Sequence, residues 1–362
     1  MTGVVAVFGA SGLVGAAAVE RFAAAGYDVV AVSRRRPELE VDRPFRHLSL
    51  DLRDAEACRQ ALSELRDVTH VVYTAVHELP GLIPGWSERE QMTTNLEMLR
   101  NVMEPLAAAA SGLRHVSLLQ GTKAYGVHLH PIRVPARERY PRDQHENFYW
   151  LQEDYIRDKS QRDGWTFSIW RPQLIVGPNY GVVMNLPPII GAYAAICRET
   201  GRPFGFPGGV TWVWEAVDTR LVADALVWGA EAPAAAGETF NLTNGEVFTW
   251  RDLWPEFAEV LGVAPAEDLP TSLATFLPEH AELWDKIVEQ RGLRPIRMAE
   301  LVGESHHYAD FCFAYGAEEP PPPAFVSTVK IKQAGFTGVW DTSESFRHWL
   351  GVLIDRKVIP GP

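Results

Sequence analysis

Apolar runs of five or six residues alternate with longer amphipathic segments along the first half of the chain. The runs VVAVFG, DVVAVS, HVVYTA and HVSLLQ are rich in β-branched residues and predict strands. The segments between them predict helices over about 13–25, 55–65 and 88–110. Such alternation is typical of a parallel sheet with helices on both faces. We therefore predict the α/β class, with a Rossmann-type doubly wound parallel sheet.

The pattern changes at Pro178. A further apolar run near residues 167–171 predicts another buried strand, and stretches rich in proline and tryptophan follow it. We predict that residues 1–178 form the Rossmann domain and that residues 210–245 return to it. Residues 179–362 would then form a smaller, interleaved and mainly helical portion that binds the substrate.

Three glycines mark the turn after the first predicted strand. They lie between VVAVF and a predicted helix, which is the context of a dinucleotide-binding turn. The first allows a tight turn, the second lets the backbone approach a pyrophosphate, and the third packs the helix against the sheet. The unpaired N–H groups at the helix start would face the phosphates. The predicted binding residues of this turn are Gly9, Ser11, Gly12, Leu13, Val14 and Gly15.

The end of the second predicted strand distinguishes between the two nicotinamide dinucleotides. It carries Ser33, Arg34 and Arg35, whereas Asp28 lies at the opposite end of the strand. A guanidinium can hold the 2′-phosphate of NADPH by paired, charge-assisted hydrogen bonds, and a carboxylate would repel it. We therefore predict that residues 1–178 bind NADPH/NADP+; a solvated loop of arginines is the alternative.

Residues at later strand ends complete the predicted cofactor site. Asp51 and Leu52 follow the third strand, where an adenine is commonly flanked. A helix cap is the alternative role for Asp51. The other predicted cofactor-binding residues are Thr74, Ala75, Gln120, Tyr149, Pro172, Ile175 and Met184.

The segment NFYWLQEDYIRDK holds two candidate acids, Tyr149 and Tyr155. A phenol with a pKa near 10 is a useful acid near neutrality only beside a positive charge. Tyr155 and Lys159 match a Tyr-x-x-x-Lys pattern on a helix predicted over 148–163. Tyr155 lies six residues beyond Tyr149, which is about 9 Å along the helix axis and about 240° around it. Because the acid must come from the first turn, we predict Tyr149.

Tyr149 has no lysine on its own helix face, because position 153 is a glutamate. A carboxylate there cannot stabilise a phenolate. The segment LLQGTKAYG contains Lys123 at the exit of the fifth predicted strand, whose carboxyl edge usually carries a catalytic hydroxyl. We predict that Lys123 supplies the ammonium; a surface lysine is the alternative. Asn95, on the preceding helix, is expected to orient the loop that holds Lys123.

Several segments resemble the progesterone 5β-reductase/iridoid synthase-like reductases, an atypical branch of the extended short-chain dehydrogenase/reductase superfamily. They are GTKAYG, ENFYWLQED, WRPQLIVGP, MNLPPIIGAYAAIC, FNLTNGEVFTWRDLW and VKIKQAGFTGVWDT, and together they extend across nearly the whole chain. The resemblance implies that Tyr149 and Lys123 form the catalytic pair. The chain departs from this branch at Thr122 and Ala124, where a basic residue and a histidine usually flank the lysine.

The residues and the resemblance together predict an ene-reductase, which reduces the C=C bond of an enone or enal. Hydride would reach the β-carbon while the Tyr149 hydroxyl, supported by Lys123, holds the developing enolate oxygen. Carbonyl (1,2-) reduction uses the same residues and is the nearest alternative. Less favoured alternatives are a nucleotide-sugar epimerase or dehydratase and a non-catalytic NADPH-sensing regulator.

Residues after the last strand of the first domain are expected to contact the substrate together with Tyr149. The segments GPNYGVVMNLPP and TWVWEAVD supply the predicted contacts Tyr180, Met184, Asn185 and Trp212. Core packing is the alternative for Met184 and Trp212. His306 and His307 lack metal-like partners at helical spacing, so we expect them on a loop; a position facing the pocket is the alternative.

Composition narrows the classes of function. A formal net charge of −12 argues against a nucleic-acid partner. The three widely spaced cysteines fit neither a disulfide framework nor a zinc site, and no apolar run reaches the length of a membrane span. We expect a cytoplasmic enzyme, without a metal, that acts on a small apolar enone or other carbonyl compound; homodimerisation stays open.

Overall fold

The structure of the protein is a computed structural model that describes residues 3–39, 41–79 and 84–362. In chain order, the strands are β1 (Val4–Phe8), β2 (Asp28–Ser33), β3 (Arg46–Ser49), β4 (Val68–Tyr73), β5 (His115–Leu119), β6 (Thr166–Pro172), β7 (Leu174–Val176), β8 (Phe204–Gly205), β9 (Val213–Trp214), β10 (Ala216–Asp218), β11 (Glu238–Leu242), β12 (Phe248–Thr249) and β13 (Pro265–Ala266). The helices are α1 (Leu13–Ala24), α2 (Ala55–Leu62), α3 (Arg89–Ala109), α4 (Phe148–Asp163), α5 (Pro187–Thr200), α6 (Thr219–Glu231), α7 (Trp250–Leu261), α8 (Leu273–Glu279), α9 (Ala281–Gln290), α10 (Met298–Val302), α11 (Ser305–Cys312), α12 (Val329–Gln333) and α13 (Thr342–Asp355). Short 3₁₀ turns cover Pro84–Ser87, Thr122–Tyr125 and Pro233–Ala235.

The chain divides into two compact units, each built from separate segments. The first comprises Met1–Gln173, Thr219–Leu242 and Val326–Gly338. The second comprises Leu174–Asp218, Thr243–Phe325 and Val339–Pro362. That the first unit binds the cofactor and the second the substrate stays a prediction.

The first unit contains a seven-stranded sheet with the order β11-β6-β5-β4-β1-β2-β3. Every neighbouring pair of strands is parallel. The chain builds outwards from β1 to β3, then returns and builds the other way from β4. In sheets of this kind, ligands bind at the carboxyl edge where the order reverses. The predicted doubly wound parallel sheet is confirmed, and its switch point lies between β1 and β4.

Helix α4 begins at Phe148 and ends at Asp163, as predicted. The Asn147 side-chain oxygen caps it by accepting a hydrogen bond from the Tyr149 N–H at 2.9 Å. At the other end Gly164 adopts the left-handed conformation, with a φ of 81°, which favours glycine. Both ends of the helix are therefore set by local residues, and Tyr149 lies in its first turn.

The other predicted helices of the first unit are confirmed with small differences at their ends. Helices α1 and α3 lie within one residue of the predicted ranges at each end, and α2 ends at Leu62 rather than near residue 65. Among the described residues, no helix combines the length and apolar character that crossing a membrane requires.

The second unit is mainly helical, as predicted, and its strands have only two or three residues each. Its core is strongly aromatic, and the Trp254 and Phe204 rings stack with centroids 4.8 Å apart. Among its fully buried side chains are Trp250, Trp284 and Tyr193. Much of the aromatic content of this half of the chain therefore serves its own core.

Candidate active site

The turn between β1 and α1 is closely packed around its glycines. Gly9 has a φ of +83°, and a Cβ there would lie 2.8 Å from the Ala75 backbone nitrogen. A Cβ on Gly15 would overlap the Gly9 carbonyl oxygen. Gly12 is the N-cap of α1, and the helix has no acidic residue in its first turn and no side-chain cap from any residue that the structure describes. The N–H groups after Ser11, at Leu13 and Val14, lie at the start of the helix, and their contact with a pyrophosphate stays a prediction.

The end of β2 presents the predicted arginines. Ser33 Oγ donates to the Arg35 carbonyl oxygen at 2.6 Å, and Ser49 Oγ donates to the Arg34 carbonyl oxygen at 3.0 Å. These bonds fix the backbone of the arginine segment, while the side chains of Arg34 and Arg35 are exposed. Exposed guanidinium groups on a fixed backbone suit the recognition of a phosphate.

Asp51 is paired with an arginine and does not cap a helix. Arg53 Nη2 lies 2.6 Å from Asp51 Oδ2, and this hydrogen bond lowers the pKa of Asp51 to about 2. The cap of α2 is Asp54, whose Oδ1 accepts from the Ala57 N–H at 3.0 Å. The alternative of a capping role for Asp51 is therefore wrong. Contact of Asp51 and the buried Leu52 with an adenine stays a prediction.

Thr74 connects the end of β4 to the glycine turn. Its N–H and its hydroxyl both donate to the Phe8 carbonyl oxygen, at 2.9 Å and 2.8 Å respectively. Gly9 packs directly against Thr74 and Ala75. The structure thus brings these three predicted cofactor-binding residues together at the carboxyl edge of the sheet.

The two predicted catalytic residues are joined by the amide of Asn147. Its Oδ1 accepts from the Tyr149 N–H at 2.9 Å, and its Nδ2 donates to the Lys123 carbonyl oxygen at 3.2 Å. The Tyr149 hydroxyl lies beside Gly121, where a Cβ would stand 3.3 Å from the hydroxyl oxygen. The cap of α4 therefore also ties the helix to the loop that carries Lys123.

Trp86 contacts both catalytic side chains. Lys123 Nζ lies 4.0 Å from the centroid of the Trp86 ring, a cation–π contact. The Tyr149 ring meets the same indole edge-on, with centroids 5.3 Å apart. Trp86 itself is only 4% exposed. A buried aromatic residue thus holds the ammonium and the phenol in one apolar site.

Burial shifts the proton equilibria of both groups towards their neutral forms. It raises the pKa of the Tyr149 phenol; the carboxylate of Glu78 adds to this shift and the guanidinium of Arg171 opposes it. Burial also lowers the pKa of Lys123 to about 8, against the attraction of Glu78. Near neutrality Tyr149 is therefore a protonated hydroxyl that can donate a hydrogen bond, and Lys123 carries a charge that is lost on mild alkalinisation.

Tyr155 and Lys159, which match the Tyr-x-x-x-Lys pattern, are engaged elsewhere. The Tyr155 hydroxyl donates to Glu104 Oε1 at 2.6 Å, and Lys159 Nζ donates to Glu104 Oε2 at 3.0 Å. Lys159 also pairs with Asp163 at 3.1 Å. Both groups therefore fasten α4 to Glu104 on α3.

The comparison with known proteins identifies the family. The family described as PRISE-like Rossmann-fold domain matches residues 50–313. The chain belongs to this family. The resemblance in the motifs around Lys123 and Tyr149 is thereby confirmed.

Relatives of this PRISE-like chain are named reductases or enol synthases. A 3-oxo-Delta(4,5)-steroid 5-beta-reductase from Arabidopsis thaliana is 33% identical over 355 residues, covering 92% of this chain and 86% of the relative. An (S)-8-oxocitronellyl enol synthase from Nepeta cataria is 31% identical over 349 residues, with the same coverage of 92% and 86%. The prediction of an oxidoreductase agrees with these names.

Solved structures share the fold of the PRISE-like chain at low sequence identity. A UDP-glucose 4-epimerase from Thermus thermophilus, solved in complex with NAD, has a TM-score of 0.65 and 19% identity, covering 96% of this chain and 98% of its own. A UDP-glucose 4-epimerase from Thermotoga maritima has a TM-score of 0.67 and 15% identity, covering 98% and 99%. At these identities the likeness establishes the fold alone.

Three residues of the PRISE-like site were missed from the sequence: Trp86, Glu78 and His128. Trp86 Nε1 donates to Glu78 Oε1 at 3.2 Å, and the Trp86 and His128 rings lie with centroids 6.0 Å apart. Burial, followed by the charge of Lys123, lowers the pKa of His128 to about 4. None of the three belongs to a periodic element or a recognisable motif, so only the spatial arrangement identifies them.

The expectation that Asn95 orients the loop of Lys123 was wrong. The Asn95 side chain accepts from the His77 N–H at 2.8 Å and donates to the His77 carbonyl oxygen at 2.7 Å. Gln152 of α4 in turn donates to the Asn95 carbonyl oxygen at 3.0 Å. Asn95 thus fixes the segment that carries Glu78, rather than the loop that carries Lys123.

The predicted substrate contacts of the second unit have structural roles there. Asn185 is 1% exposed, and its Nδ2 donates to the carbonyl oxygens of Gly177 and Asn179 at 2.8 Å and 2.7 Å. The indole Nε1 of Trp212 donates to the Cys312 carbonyl oxygen at 2.9 Å. Substrate contact by Tyr180, Met184, Asn185 and Trp212 stays a prediction, as does cofactor contact by Pro172 on β6, Ile175 on β7 and Met184.

His306 and His307 lie on a helix, so the expected loop is wrong. Both belong to α11, with His306 buried and His307 exposed. Their rings lie with centroids 4.2 Å apart. Within the described residues no cluster of histidine, cysteine and acidic side chains is suited to hold a metal ion.

Proposed function

We propose that this PRISE-like protein is an NADPH-dependent ene-reductase that reduces the C=C bond of an α,β-unsaturated carbonyl compound. The observation that carries the proposal is that Tyr149 and Lys123 both contact Asn147 and Trp86. The Asn147 amide bonds to both backbones, and the Trp86 ring contacts both side chains. A hydroxyl donor with a nearby ammonium is what a developing enolate oxygen requires.

The glycine turn and the arginines support NADPH as the cofactor. The glycine turn supports a dinucleotide, because a Cβ on Gly9 or Gly15 would collide with the backbone and the start of α1 has neither an acidic residue nor a side-chain cap among the described residues. The related fold of the Thermus epimerase was solved with NAD, which supports a nicotinamide dinucleotide. The exposed Arg34 and Arg35 favour the 2′-phosphate that distinguishes NADPH.

The catalytic residues act on the carbonyl oxygen of the substrate. NADPH, when bound, supplies a hydride to the β-carbon. The Tyr149 hydroxyl donates a hydrogen bond to the oxygen on which negative charge develops, and the Lys123 ammonium stabilises the same charge through its field. A proton from water then reaches the α-carbon, so that one hydride and one proton give the saturated carbonyl compound. The buried Trp86 excludes water from this side of the site.

The names of the relatives support a conjugated carbonyl as the substrate. The Arabidopsis relative is named for a 3-oxo steroid with a C=C bond at positions 4 and 5, which is an enone. The Nepeta relative is named an enol synthase, and an enol is the protonated form of the enolate that Tyr149 would stabilise. Both names fit reduction in which charge passes to the carbonyl oxygen.

Product analysis tests the proposal. Purified protein would be incubated with NADPH and cyclohexenone, a steroid enone, a linear enal and simple saturated ketones. We expect oxidation of NADPH with the conjugated substrates and recovery of saturated carbonyl products. Allylic alcohols would assign carbonyl (1,2-) reduction instead, and tight binding of NADPH without turnover on any substrate would overturn the proposal.

A further inference from the structure

A buried ion pair lies one turn of helix α4 beyond Tyr149, at Glu153. Glu153 and Arg171 are 4% and 5% exposed, and Arg171 Nη2 lies 3.2 Å from Glu153 Oε2. The same carboxylate accepts from Arg142 and Arg157, both at 3.0 Å. A buried carboxylate shared by three guanidinium groups is paired well enough to stay ionised. Position 153, where a Tyr-x-x-x-Lys helix would carry its lysine, thus carries the counterion of an arginine.

Gln120 connects this ion pair to Tyr149 by hydrogen bonds. Arg171 Nε donates to Gln120 Oε1 at 3.0 Å, and Gln120 Nε2 donates to the Tyr149 carbonyl oxygen at 3.1 Å. Gln120 is also buried, and its N–H donates to the Trp170 carbonyl oxygen at 2.7 Å. The connection therefore runs from β6, through the end of β5, to the first turn of α4.

The Arg171 guanidinium is held in place on its faces as well as at its edges. It lies over the Trp150 ring, with its Cζ 5.4 Å from the centroid, and over the Tyr125 ring at 5.0 Å. A planar guanidinium that lies over two rings and donates hydrogen bonds to two side chains is held in one orientation. The ammonium of a lysine cannot make the same set of contacts.

We propose that Arg171 is a positioning residue of the reductase. Through Gln120 it fixes the main chain of Tyr149, and its guanidinium, oriented by Glu153, supports the donating form of the Tyr149 hydroxyl. The inference rests on the proposed function. It explains the glutamate at position 153, because the helix lysine is replaced by an arginine that arrives from β6 with its own buried counterion.

Kinetics of Arg171 variants test the inference. We expect Arg171→Gln to lower kcat about 10- to 100-fold, because misplacement of a catalytic group by about 1 Å can cost up to 10²-fold. The KM for NADPH should stay within about twofold. Arg171→Lys, which keeps the charge and loses the fork, should recover part of the loss. Glu153→Gln should also lower kcat.

Arg162→Gln is the matched control. It removes an exposed arginine of helix α4 that pairs with the exposed Asp158 at 2.9 Å, and its kcat should equal that of the unaltered protein.

A double-mutant comparison separates positioning from a general structural role. In the Tyr149→Phe background the hydroxyl that Arg171 supports is gone, so adding Arg171→Gln should change the residual turnover by no more than about twofold. The same 10- to 100-fold loss in that background would overturn the inference, as would an unaltered kcat in Arg171→Gln alone. If Arg171→Gln does not fold, Arg171→Lys and Glu153→Gln are taken through the same comparison. Lack of turnover by the unaltered protein would instead count against the proposed function.

Discussion

Tyr149 and Tyr155 are two phenols on one helix with different surroundings. The Tyr149 hydroxyl lies beside Gly121, near the loop of Lys123, whereas the Tyr155 hydroxyl donates to Glu104 at 2.6 Å. We predict that Tyr149→Phe lowers kcat about 10²- to 10³-fold, because loss of one preorganised donor costs about 3–4 kcal/mol. The KM for NADPH should change little. Initial rates of NADPH oxidation, with product identification, would measure both.

Tyr155→Phe is the matched control for this change. It removes a phenol hydroxyl from the same helix, yet we expect kcat to stay within about twofold of the unaltered protein. Equal losses in the two variants would place the acid elsewhere or make the helix, rather than the hydroxyl, the sensitive element.

Lys123 predicts a pH dependence of the reaction. Its pKa is lowered to about 8 by burial, with Glu78 opposing. The charged ammonium supports the reaction, so kcat/KM should be highest below about pH 8 and fall as the pH rises through that value. Lys123→Arg should remove this fall, because a guanidinium does not lose its proton. A pH–rate profile from about pH 6 to 10 checks this, and Lys159→Arg, at a lysine paired with Glu104 and Asp163, should leave the profile unchanged.

At the scale of elements, α4 and α2 each begin with a side-chain cap, and only one of the caps reaches the active site. Asn147 bonds to the Tyr149 N–H and to the Lys123 carbonyl oxygen, whereas Asp54 bonds to the Ala57 N–H. We predict that Asn147→Ala and Asp54→Ala each lower the free energy of unfolding by about 1 kcal/mol. Only Asn147→Ala should also lower kcat, because it releases the loop of Lys123. Urea unfolding and initial rates on both variants would distinguish the roles; equal kcat values would contradict the link.

The elements were largely readable from the sequence, and the surroundings of the site were not. The ends of helix α4 agree with the predicted range of 148–163, and the local residues Asn147 and Gly164 set them. Trp86 and Glu78 gave no such signal, since they lie outside regular strands and long helices and meet Lys123 only in space. Asn95 was assigned to the wrong loop for the same reason. Hydrogen-bond partners distant in sequence follow from packing, which periodicity does not encode.

At the scale of the whole molecule, the sheet carries buried histidines at the edge opposite to the active site. His70 lies near the start of β4 and His115 begins β5, and they are 5% and 3% exposed. His115 Nδ1 bonds with Thr166 Oγ1 at 2.9 Å, while its Nε2 is buried without a partner in the part of the chain that the structure describes. Burial lowers the pKa of His115 to about 3 and also lowers that of His70. Burial therefore favours the uncharged form of both side chains in the folded protein.

These histidines predict a loss of stability in weak acid. Below the ordinary histidine pKa of about 6.5 the unfolded chain takes up protons that folded His115 does not accept until about pH 3. The free energy of unfolding should therefore fall as the pH drops from about 6.5, by up to about 1.4 kcal/mol per pH unit for each such histidine. Urea midpoints between about pH 5 and 7.5 should show this slope and a smaller one in His115→Gln.

The attachment of Tyr155 and Lys159 to Glu104 has a practical consequence for how mutants of this family are interpreted. A search for the Tyr-x-x-x-Lys signature would direct mutagenesis to this pair. Replacing Lys159 with methionine would abolish two ion pairs between charged groups and leave carboxylates without their cation, which weakens the attachment of α4 to α3. Activity would fall because less protein is folded. A screen that records only activity would then count Lys159, which holds two helices together, among the catalytic residues.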